Sequence, residues 1–152
     1  MRILLIAEHD HTTLNAASVA ALTFARSIAE ATGGAVSLLL LGAGLEAAGQ
    51  DAARYAPVLT ADHPALSPAT ADRHATVIAK QVQAGGFDLV VAAASSYGKD
   101  TVGRAGGLLG GCMASDVVAH KLEDGELLLT RPMFAGSVLA NVKLLRGPKI
   151  VT

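Results

Sequence analysis

Several residue types are scarce in this sequence, and each scarcity excludes a class of protein. The single cysteine, Cys112, has no partner for an internal disulfide or for a zinc site built on cysteine pairs. Tryptophan is absent and aromatic residues make up 3% of the 152 residues, so the core has to be aliphatic. The 12 basic residues nearly balance the 13 acidic ones, which disfavours a nucleic-acid binder that relies on bulk charge.

Charged residues are also few, at 16% of the chain against roughly 25% in an average soluble domain. A surface with so few charged residues predicts that a partner covers part of it. The longest apolar stretch, residues 36–45, is too short for a membrane span. Glu8, His9 and Asp10 cut the first apolar run short, which is not the pattern of a signal peptide, and we therefore expect a cytoplasmic protein.

What the sequence has in quantity is apolar residues, at 51%, arranged in short runs that alternate with helical segments. Four such alternations predict one three-layer α/β domain over residues 1–152, doubly wound around a mostly parallel sheet. The predicted strands are residues 3–7, 35–41, 55–60 and 87–93, and the predicted helices are residues 14–31, 45–53, 67–83 and 100–112.

Residues 115–152 predict antiparallel strands at the C-terminal edge of that sheet. Asp124-Gly125 is a strong hairpin signal between predicted strands at 115–123 and 126–130. A loop at 131–136, a strand at 138–145 and the start of another strand at 149 follow. The chain ends inside this last predicted strand, as expected of a fragment of a longer protein.

The first candidate site is the predicted loop at residues 94–100. The expected strand order 3-2-1-4 places it opposite residues 7–13, across the crevice where doubly wound sheets bind ligands. Alternatively, Ser95 and Asp100 only cap the next helix and Gly98 only makes a turn, since no Walker-type or GxGxxG spacing is present. The groups that this loop offers to an anion belong to Ser95, Ser96, Tyr97, Gly98 and Lys99.

Two histidine segments are weaker candidates for a metal site. His9 and His11 alternate, but they lie in a predicted loop with no third ligand nearby, which favours a solvated loop. Asp62-His63 precedes Pro64, and turn chemistry accounts for that pair. An enzyme that uses His9 or His63 is a further alternative, but the sequence shows no set of catalytic residues that would act with either histidine.

Arg104 and Arg131 lie in apolar or glycine-rich segments, where a lone charge needs a partner. A structural pin and a ligand contact both remain open for them. Glycines in the fourth predicted helix favour close approach of another backbone; they are Gly106, Gly107, Gly110 and Gly111. Cys112 is predicted to be a small packed residue.

Five segments in this order resemble the N-terminal domain of the electron transfer flavoprotein alpha subunit over essentially the whole chain. Two of them are the opening residues 3–8 and residues 61–64. The three most specific are Ser96-Tyr97-Gly98-Lys99-Asp100 leading to Arg104, Ala114-Ser115-Asp116-Val117-Val118, and Arg131-Pro132-Met133-Phe134-Ala135-Gly136. The sequence departs from the family at Gly103, where a proline is common, and at the helix glycines, where the family has bulkier residues.

The resemblance implies a non-catalytic scaffold domain that docks an electron transfer flavoprotein beta subunit. The family's heterodimer carries electrons from flavin dehydrogenases, such as acyl-CoA dehydrogenases, to a membrane quinone reductase. Its FAD is held mainly by a C-terminal alpha domain that this chain lacks, so we expect the chain alone to hold no FAD. The alternative function is a universal-stress-type adenine nucleotide-binding module that uses residues 95–99 as a phosphate loop.

Overall fold

The computed structural model describes all 152 residues, which form nine strands and four α-helices. The strands are β1 (Arg2–Ile6), β2 (Ala35–Gly42), β3 (Val58–Asp62), β4 (Leu89–Ala92), β5 (Cys112–Ala114), β6 (Ala119–Glu123), β7 (Glu126–Met133), β8 (Val138–Lys143) and β9 (Lys149–Val151). The helices are α1 (Ala16–Thr32), α2 (Glu46–Ala52), α3 (Ala71–Gly85) and α4 (Ser96–Leu109).

Six parallel strands form the main sheet, in the order β3-β2-β1-β4-β9-β5. The predicted order of the first four strands is confirmed. In register, Leu5 of β1 pairs with Leu38 of β2 on one side and with Val91 of β4 on the other. The chain runs outward from β1 to β2 and β3 and then crosses back to β4 on the other side of β1, and this reversal creates the switch point at which such sheets bind ligands.

Two aliphatic cores lie on opposite faces of this sheet. Successive residues of β1 alternate between them, with Ile3 and Leu5 in one core and Leu4 and Ile6 in the other. Helices α1 and α2 cover the first face, while α3 and α4 cover the second. This arrangement explains the continuous apolar runs, because a strand covered on both faces has no side exposed to water.

The antiparallel strands predicted near the C-terminus form a second sheet of three strands, in the order β6-β7-β8. The turn at Asp124-Gly125 joins β6 to β7, as predicted. Leu127 and Leu129 of β7 are buried in the core that also contains α1, so this small sheet packs on the α1 side of the domain. The α/β fold class with C-terminal antiparallel strands is confirmed.

The predicted start of the third helix at Ser67-Pro68 is wrong. His63 begins a short 3-10 helix at Pro64–Leu66, where its ring accepts a hydrogen bond from the Ala65 N–H. Ser67 is extended, and α3 begins only at Ala71, after Thr70. The helix-start pattern at Ser67-Pro68 therefore lies between two helices, and Leu66, Ser67 and Ala69 line a cavity that is described below.

Two predictions in the C-terminal region are also wrong. Residues 131–133, predicted as a loop, continue β7 and pair with β8. Residues 115–118, predicted as the start of a strand, form an irregular link that contains Asp116 at a φ of +57°. The short strand β5 precedes them and pairs with β9, so its position depends on a strand far away in the sequence.

The glycines of the fourth helix have different roles. A Cβ on Gly111 would lie 2.3 Å from the Pro148 carbonyl oxygen, which confirms the predicted approach of another backbone. A Cβ on Gly106 would meet the Ile150 side chain at 3.0 Å. Gly110 ends α4 in the left-handed conformation, and Gly107 has open space around it.

Candidate functional site

Polar side chains at the ends of β1 and β4 meet across the predicted crevice. The Ser95 hydroxyl donates a hydrogen bond of 2.6 Å to Oε1 of Glu8. The same hydroxyl oxygen accepts the Gly98 N–H at 2.8 Å, so Ser95 is the N-cap of α4. A carboxylate of the chain itself therefore lies beside the positive end of this helix.

Residues 96–99, predicted as a loop, form the first turn of α4 instead. Ser96 is exposed, whereas Gly98 is buried. A Cβ on Gly98 would lie 2.1 Å from the Ala93 carbonyl oxygen. Glycine is therefore required at this position by the close approach of the Ala93 carbonyl, directly after β4, to α4.

The buried His74 of α3 forms a pair with Tyr97 of α4. Nε2 of His74 lies 2.9 Å from the Leu66 carbonyl oxygen, which can only accept a proton, so this nitrogen carries the hydrogen. Nδ1 then accepts the Tyr97 hydroxyl at 2.6 Å. Burial raises the pKa of Tyr97 to about 12, and the nearby Glu8 charge acts in the same direction.

His9 is held in the same way from the other side of the crevice. Its Nε2 donates to the Leu41 carbonyl oxygen at 3.2 Å, and its Nδ1 accepts the His11 N–H at 3.2 Å. Burial lowers the pKa of His9, because it penalises the charged imidazolium. The predicted solvated loop thus applies to Asp10 and His11, which are exposed, but not to His9.

The loop after His9 is organised by Asp10. Its carboxylate accepts the backbone N–H groups of Thr12 and Thr13 at 2.9 and 2.8 Å, together with the Thr12 hydroxyl at 2.6 Å. These hydrogen bonds lower the pKa of Asp10. The structure contains no group of three His, Cys, Asp or Glu residues arranged to hold a metal ion.

These groups line a cavity of about 180 Å³ beyond the carboxyl ends of β1 and β2, which we call the switch-point cavity. No lysine or arginine belongs to its wall. Its lining residues are Ala7, Glu8, His9, His11, Asn15, Leu41, Gly42, Leu66, Ser67, Ala69, His74 and Tyr97.

The three predicted cationic residues lie outside this cavity. Lys99 pairs with Asp116 at 2.6 Å and thereby lowers the pKa of that carboxyl. Arg104 pairs with Asp72 of α3. Arg131 donates to the Ser115 hydroxyl at 3.1 Å, while its Nε is buried without a hydrogen bond. Of the residues predicted to bind an anion, Tyr97 alone lines the cavity directly, and Ser95 reaches it through Glu8. The candidate histidines His9 and His11 line the cavity as well.

The second histidine segment has the structural role predicted for it. Asp62 accepts the N–H groups of Gly44 and Leu45 at 2.8 Å each, and these hydrogen bonds lower its pKa. The His63 ring accepts the Ala65 N–H at 3.1 Å. Both residues therefore organise turns.

His74 is the residue of the cavity that sequence reasoning missed, whereas Glu8 and His9 belong to residues 7–13, the segment predicted to face the crevice. His74 occupies the apolar face of an amphipathic helix, beside the buried Ala75 and Ile78. A histidine on that face was the available signal, since a buried polar side chain needs a partner.

A larger depression, of about 610 Å³, lies at the amino ends of the strands, beside the starts of β1, β4 and β9. Met1, Asp88, Pro148 and Lys149 are among the residues that line it. Asp88 already accepts the Arg2 N–H at 2.7 Å. Ligands of doubly wound sheets bind at the carboxyl ends of the strands, so the switch-point cavity is the better candidate.

No helix in the structure has the length and apolar character needed to cross a membrane. A parallel sheet with a switch point at β1 and β4, and a polar cavity beyond it, defines the class of nucleotide-binding-like α/β domains. The model of the electron transfer flavoprotein domain matches residues 3–152 of the chain. The chain belongs to the electron transfer flavoprotein family, and within it resembles the N-terminal domain of the alpha subunit.

Three alpha subunits illustrate the similarity. The mitochondrial electron transfer flavoprotein subunit alpha of Arabidopsis thaliana is 31% identical over 156 residues, covering 98% of this chain and 42% of the relative. The Pseudomonas aeruginosa electron transfer flavoprotein subunit alpha is 30% identical over 155 residues, covering 100% of this chain and 47% of the relative. The mitochondrial subunit alpha of Oryza sativa subsp. indica is 32% identical over 146 residues, covering 92% of this chain and 40% of the relative. The chain thus spans less than half the length of these relatives, and the family match supports a role in electron transfer by a flavoprotein.

Proposed function

We propose that this chain is a scaffold domain of an electron transfer flavoprotein alpha subunit and that it docks a beta subunit. The observation that carries the proposal is the family match over residues 3–152, joined to an uncharged surface at one end of the small sheet. Within the complete complex, electrons pass from flavin dehydrogenases to a membrane quinone oxidoreductase, and this domain takes no part in the chemistry.

The docking surface is the turn between β7 and β8 with the strand ends beside it, residues 132–140, which we call the hairpin tip. These nine residues contain no charged side chain. Phe134 is 79% exposed, and Val138 and Leu139 are exposed by 51% and 63%. Interfaces are enriched in aromatic residues and methionine and depleted of charge at their centre, which is the composition of this tip.

The backbone of the hairpin tip supports a binding role. Phe134 and Ala135 adopt φ values of +50° and +54°, which are costly for residues with a side chain. The Gly136 N–H donates to the Met133 carbonyl oxygen at 3.1 Å and closes the turn. Strained backbone that presents an exposed aromatic ring is typical of a functional surface.

The residues of the switch-point cavity do not fit FAD. The cavity volume of about 180 Å³ is below the roughly 300–1,000 Å³ of sites for drug-sized ligands. Its wall has a carboxylate and no cation to neutralise a pyrophosphate. We therefore assign FAD binding to the remaining part of a full-length alpha subunit. The same two observations weigh against the universal-stress-type alternative, in which residues 95–99 would cradle a phosphate.

The test is co-expression of the chain with an electron transfer flavoprotein beta subunit, followed by affinity purification and size-exclusion chromatography. We expect a stable one-to-one complex of the unaltered chain. Phe134→Asp should abolish this complex, because it buries a charge at the centre of the interface. Leu145→Asp is the matched control, since Leu145 is also 79% exposed but follows the opposite end of β8, and it should leave the complex intact.

Two results would contradict the proposal. One is the absence of a complex with the unaltered, folded chain, and the other is equal loss of the complex in both variants. The absorbance spectrum of the purified chain tests the assignment of FAD separately, because stoichiometric flavin in this chain alone would overturn it.

A further inference from the structure

Strand β8 forms an open edge of the small sheet, because β7 is its only neighbouring strand. The Thr130 carbonyl oxygen of β7 accepts the Val118 N–H at 2.9 Å, so Thr130 directs its backbone groups towards β6. Successive residues of a strand direct their backbone groups in opposite directions, so Arg131 directs its own towards Ala140 of β8. The residues of β8 whose N–H and C=O groups point away from β7 are therefore Leu139, Asn141 and Lys143.

This open edge lacks the features that usually protect an edge strand from pairing. Such features are charged side chains, proline and β-bulges. Residues 138–142 contain neither a charge nor a proline, and their register with β7 is unbroken. The opposite edge of the sheet, β6, is protected, because it presents the charged pair of Lys121 and Glu123. The edge at β8 is therefore suited to pairing with a strand of another chain.

The charge distribution along β8 fits a second copy of the same strand. Its one charged residue, Lys143, lies at its last position, and Arg146 follows, whereas its first five residues are uncharged. Antiparallel pairing about a two-fold axis at Asn141 places Lys143 of each copy opposite Leu139 of the other, so all three free residues of each strand have a partner. The two lysines are then four strand positions apart, roughly 13 Å, which exceeds the Debye length of about 8 Å at physiological ionic strength.

The same register covers an exposed leucine that lies outside the docking surface proposed above. Leu145 follows β8 and is 79% exposed. Antiparallel pairing about Asn141 places it level with Ser137 of the second copy, next to the hairpin tip and its exposed Phe134. Two-fold symmetry repeats this apolar contact at the other end of the paired strands. Two exposed apolar regions at opposite ends of β8 are thus removed from water by one interface.

We propose that β8 pairs with β8 of a second copy of this chain, antiparallel about a two-fold axis at Asn141, and that the chain alone is a dimer. The pairing joins two three-stranded sheets into one of six strands and leaves only the charged β6 edges open. This inference goes beyond the proposed docking function and does not depend on it. Since both interfaces use Val138 and Leu139, binding of a beta subunit should convert the dimer into the one-to-one complex.

Sedimentation equilibrium of the purified chain tests the proposal. We expect a dimer with a Kd at or below about 100 μM. Asn141→Pro removes the N–H at the centre of the open edge but keeps the ladder to β7, and it should weaken the dimer at least about tenfold. Asn141→Ala is the matched control: it also loses the side-chain hydrogen bond to Thr130 but keeps the N–H, so its Kd should change less than about threefold.

A second variant tests the apolar contact and does not depend on the folding of Asn141→Pro. Leu145→Asp places a charge beside the hairpin tip of the second copy, and it should weaken the dimer at least about tenfold. Leu108→Asp is the control, because Leu108 is 57% exposed on α4, and it should leave the dimer unchanged. Since Leu145→Asp should leave the complex with a beta subunit intact, failure of this proposal is distinguishable from failure of the docking proposal.

Cross-linking tests the symmetry of the pairing. In a Cys112→Ala background, a short bismaleimide should join Asn141→Cys chains into covalent dimers, because the two positions face each other with Cα atoms about 5.5 Å apart. Lys121→Cys, on β6, is the control and should stay monomeric on a denaturing gel.

A chain that remains monomeric at about 1 mM would overturn the proposal. Equal dimerisation of Asn141→Pro and Asn141→Ala would show that the backbone of β8 does not form the interface, and it would overturn the proposal as well. Efficient cross-linking of Lys121→Cys instead of Asn141→Cys would place the interface at β6. Association that continues beyond the dimer would contradict a closed two-fold arrangement.

Discussion

Glu8 and Ser95 are 87 positions apart in the sequence, yet their side chains share a hydrogen bond of 2.6 Å at the switch point of the sheet. This bond joins the end of β1 to the start of α4. Ser95 has a second role there, because its oxygen also accepts the Gly98 N–H and caps the helix. One hydroxyl thus stabilises the helix and fixes the orientation of the carboxylate in the cavity.

Replacing Ser95 by alanine should therefore destabilise the domain by about 2 kcal/mol, through loss of the cap and of a hydrogen bond to a charged group. Urea unfolding followed by circular dichroism measures this change. Ser96→Ala is the control: Ser96 is exposed and its side chain makes no hydrogen bond, so the effect should stay within about 0.5 kcal/mol. Equal effects of the two variants would show that neither the cap nor the bond to Glu8 contributes to stability.

Two glycines of α4 should respond in opposite ways to replacement by alanine. Gly98→Ala places a Cβ against the Ala93 carbonyl oxygen, and we expect destabilisation by about 2–3 kcal/mol. Gly107→Ala meets no atom within 4 Å on an exposed helix position, so it should stabilise by about 1 kcal/mol. Thermal unfolding of both variants measures the difference, and a stabilised Gly98→Ala protein would disprove the close contact between α4 and the Ala93 carbonyl.

His120 should make the stability of the domain depend on pH. Its Nε2 lies 2.7 Å from the Ser27 hydroxyl, while its Nδ1 is buried without a partner. Burial lowers the pKa of His120 below its ordinary value of 6.5. The unfolded chain therefore binds the proton more tightly than the folded chain, and stability is lost as the pH falls below about 6.5.

The measurement is the free energy of unfolding of the unaltered chain and of His120→Gln between pH 8 and pH 5. The variant should lose less stability over this range, because one group with a lowered pKa is gone. His9 should contribute in the same direction, since burial also lowers its pKa, so some pH dependence should persist in the variant. Identical pH profiles of the two proteins would refute the role of His120.

The hairpin tip should gain stability when its unusual turn residues are replaced by Asn-Gly. Phe134 and Ala135 precede Gly136 in a run of three residues with positive φ, a conformation that asparagine and glycine adopt at lower cost than phenylalanine and alanine. The double variant Phe134→Asn/Ala135→Gly should be more stable by about 1–2 kcal/mol in urea unfolding. Because it lacks the exposed ring, it should also bind the beta subunit more weakly, so stability and docking change in opposite directions.

The other hairpin provides the control for this prediction. Asp124 and Gly125 have φ values of +51° and +78°, and both residue types suit that geometry. Asp124→Asn should therefore change stability by no more than about 0.5 kcal/mol. A destabilised Asn-Gly variant at the hairpin tip would mean that the backbone there is not under strain.

The wrong predictions share one physical cause. Pro132 and Gly136 are turn residues, which favour a loop over residues 131–136, but pairing with β8 extends β7 through Met133. Ser67-Pro68 has the pattern of a helix start, yet the chain stays extended after the 3-10 helix at Pro64–Leu66, whose Leu66 carbonyl is bound by His74 of α3. In each case, contacts with a distant segment outweigh a weak local preference.

The candidate site residues also divide into those that local sequence patterns predict and those that depend on contacts between distant segments. Ser95 and Gly98 were predictable, because a strand followed by a polar segment and a helix marks the carboxyl end of a parallel sheet. His74 was not predictable as part of the site, because the packing of α3 against α4 decides which side chain Tyr97 meets, and that packing exists only in the folded domain. The sequence also predicted Lys99 and Arg131 as part of the site. In the structure, Lys99 pairs with Asp116 and Arg131 donates to Ser115, and both cations lie outside the cavity.

The sequence by itself determined the alternation of strands and helices, the order of the first four strands and the aliphatic character of both cores. These follow from hydrophobic periodicity and turn residues, which act over a few positions. Only the tertiary structure decided that β9 lies between β4 and β5 and that Glu8, His9, His74 and Tyr97 surround one cavity. Such contacts depend on how distant segments pack, and local preferences carry no information about that packing.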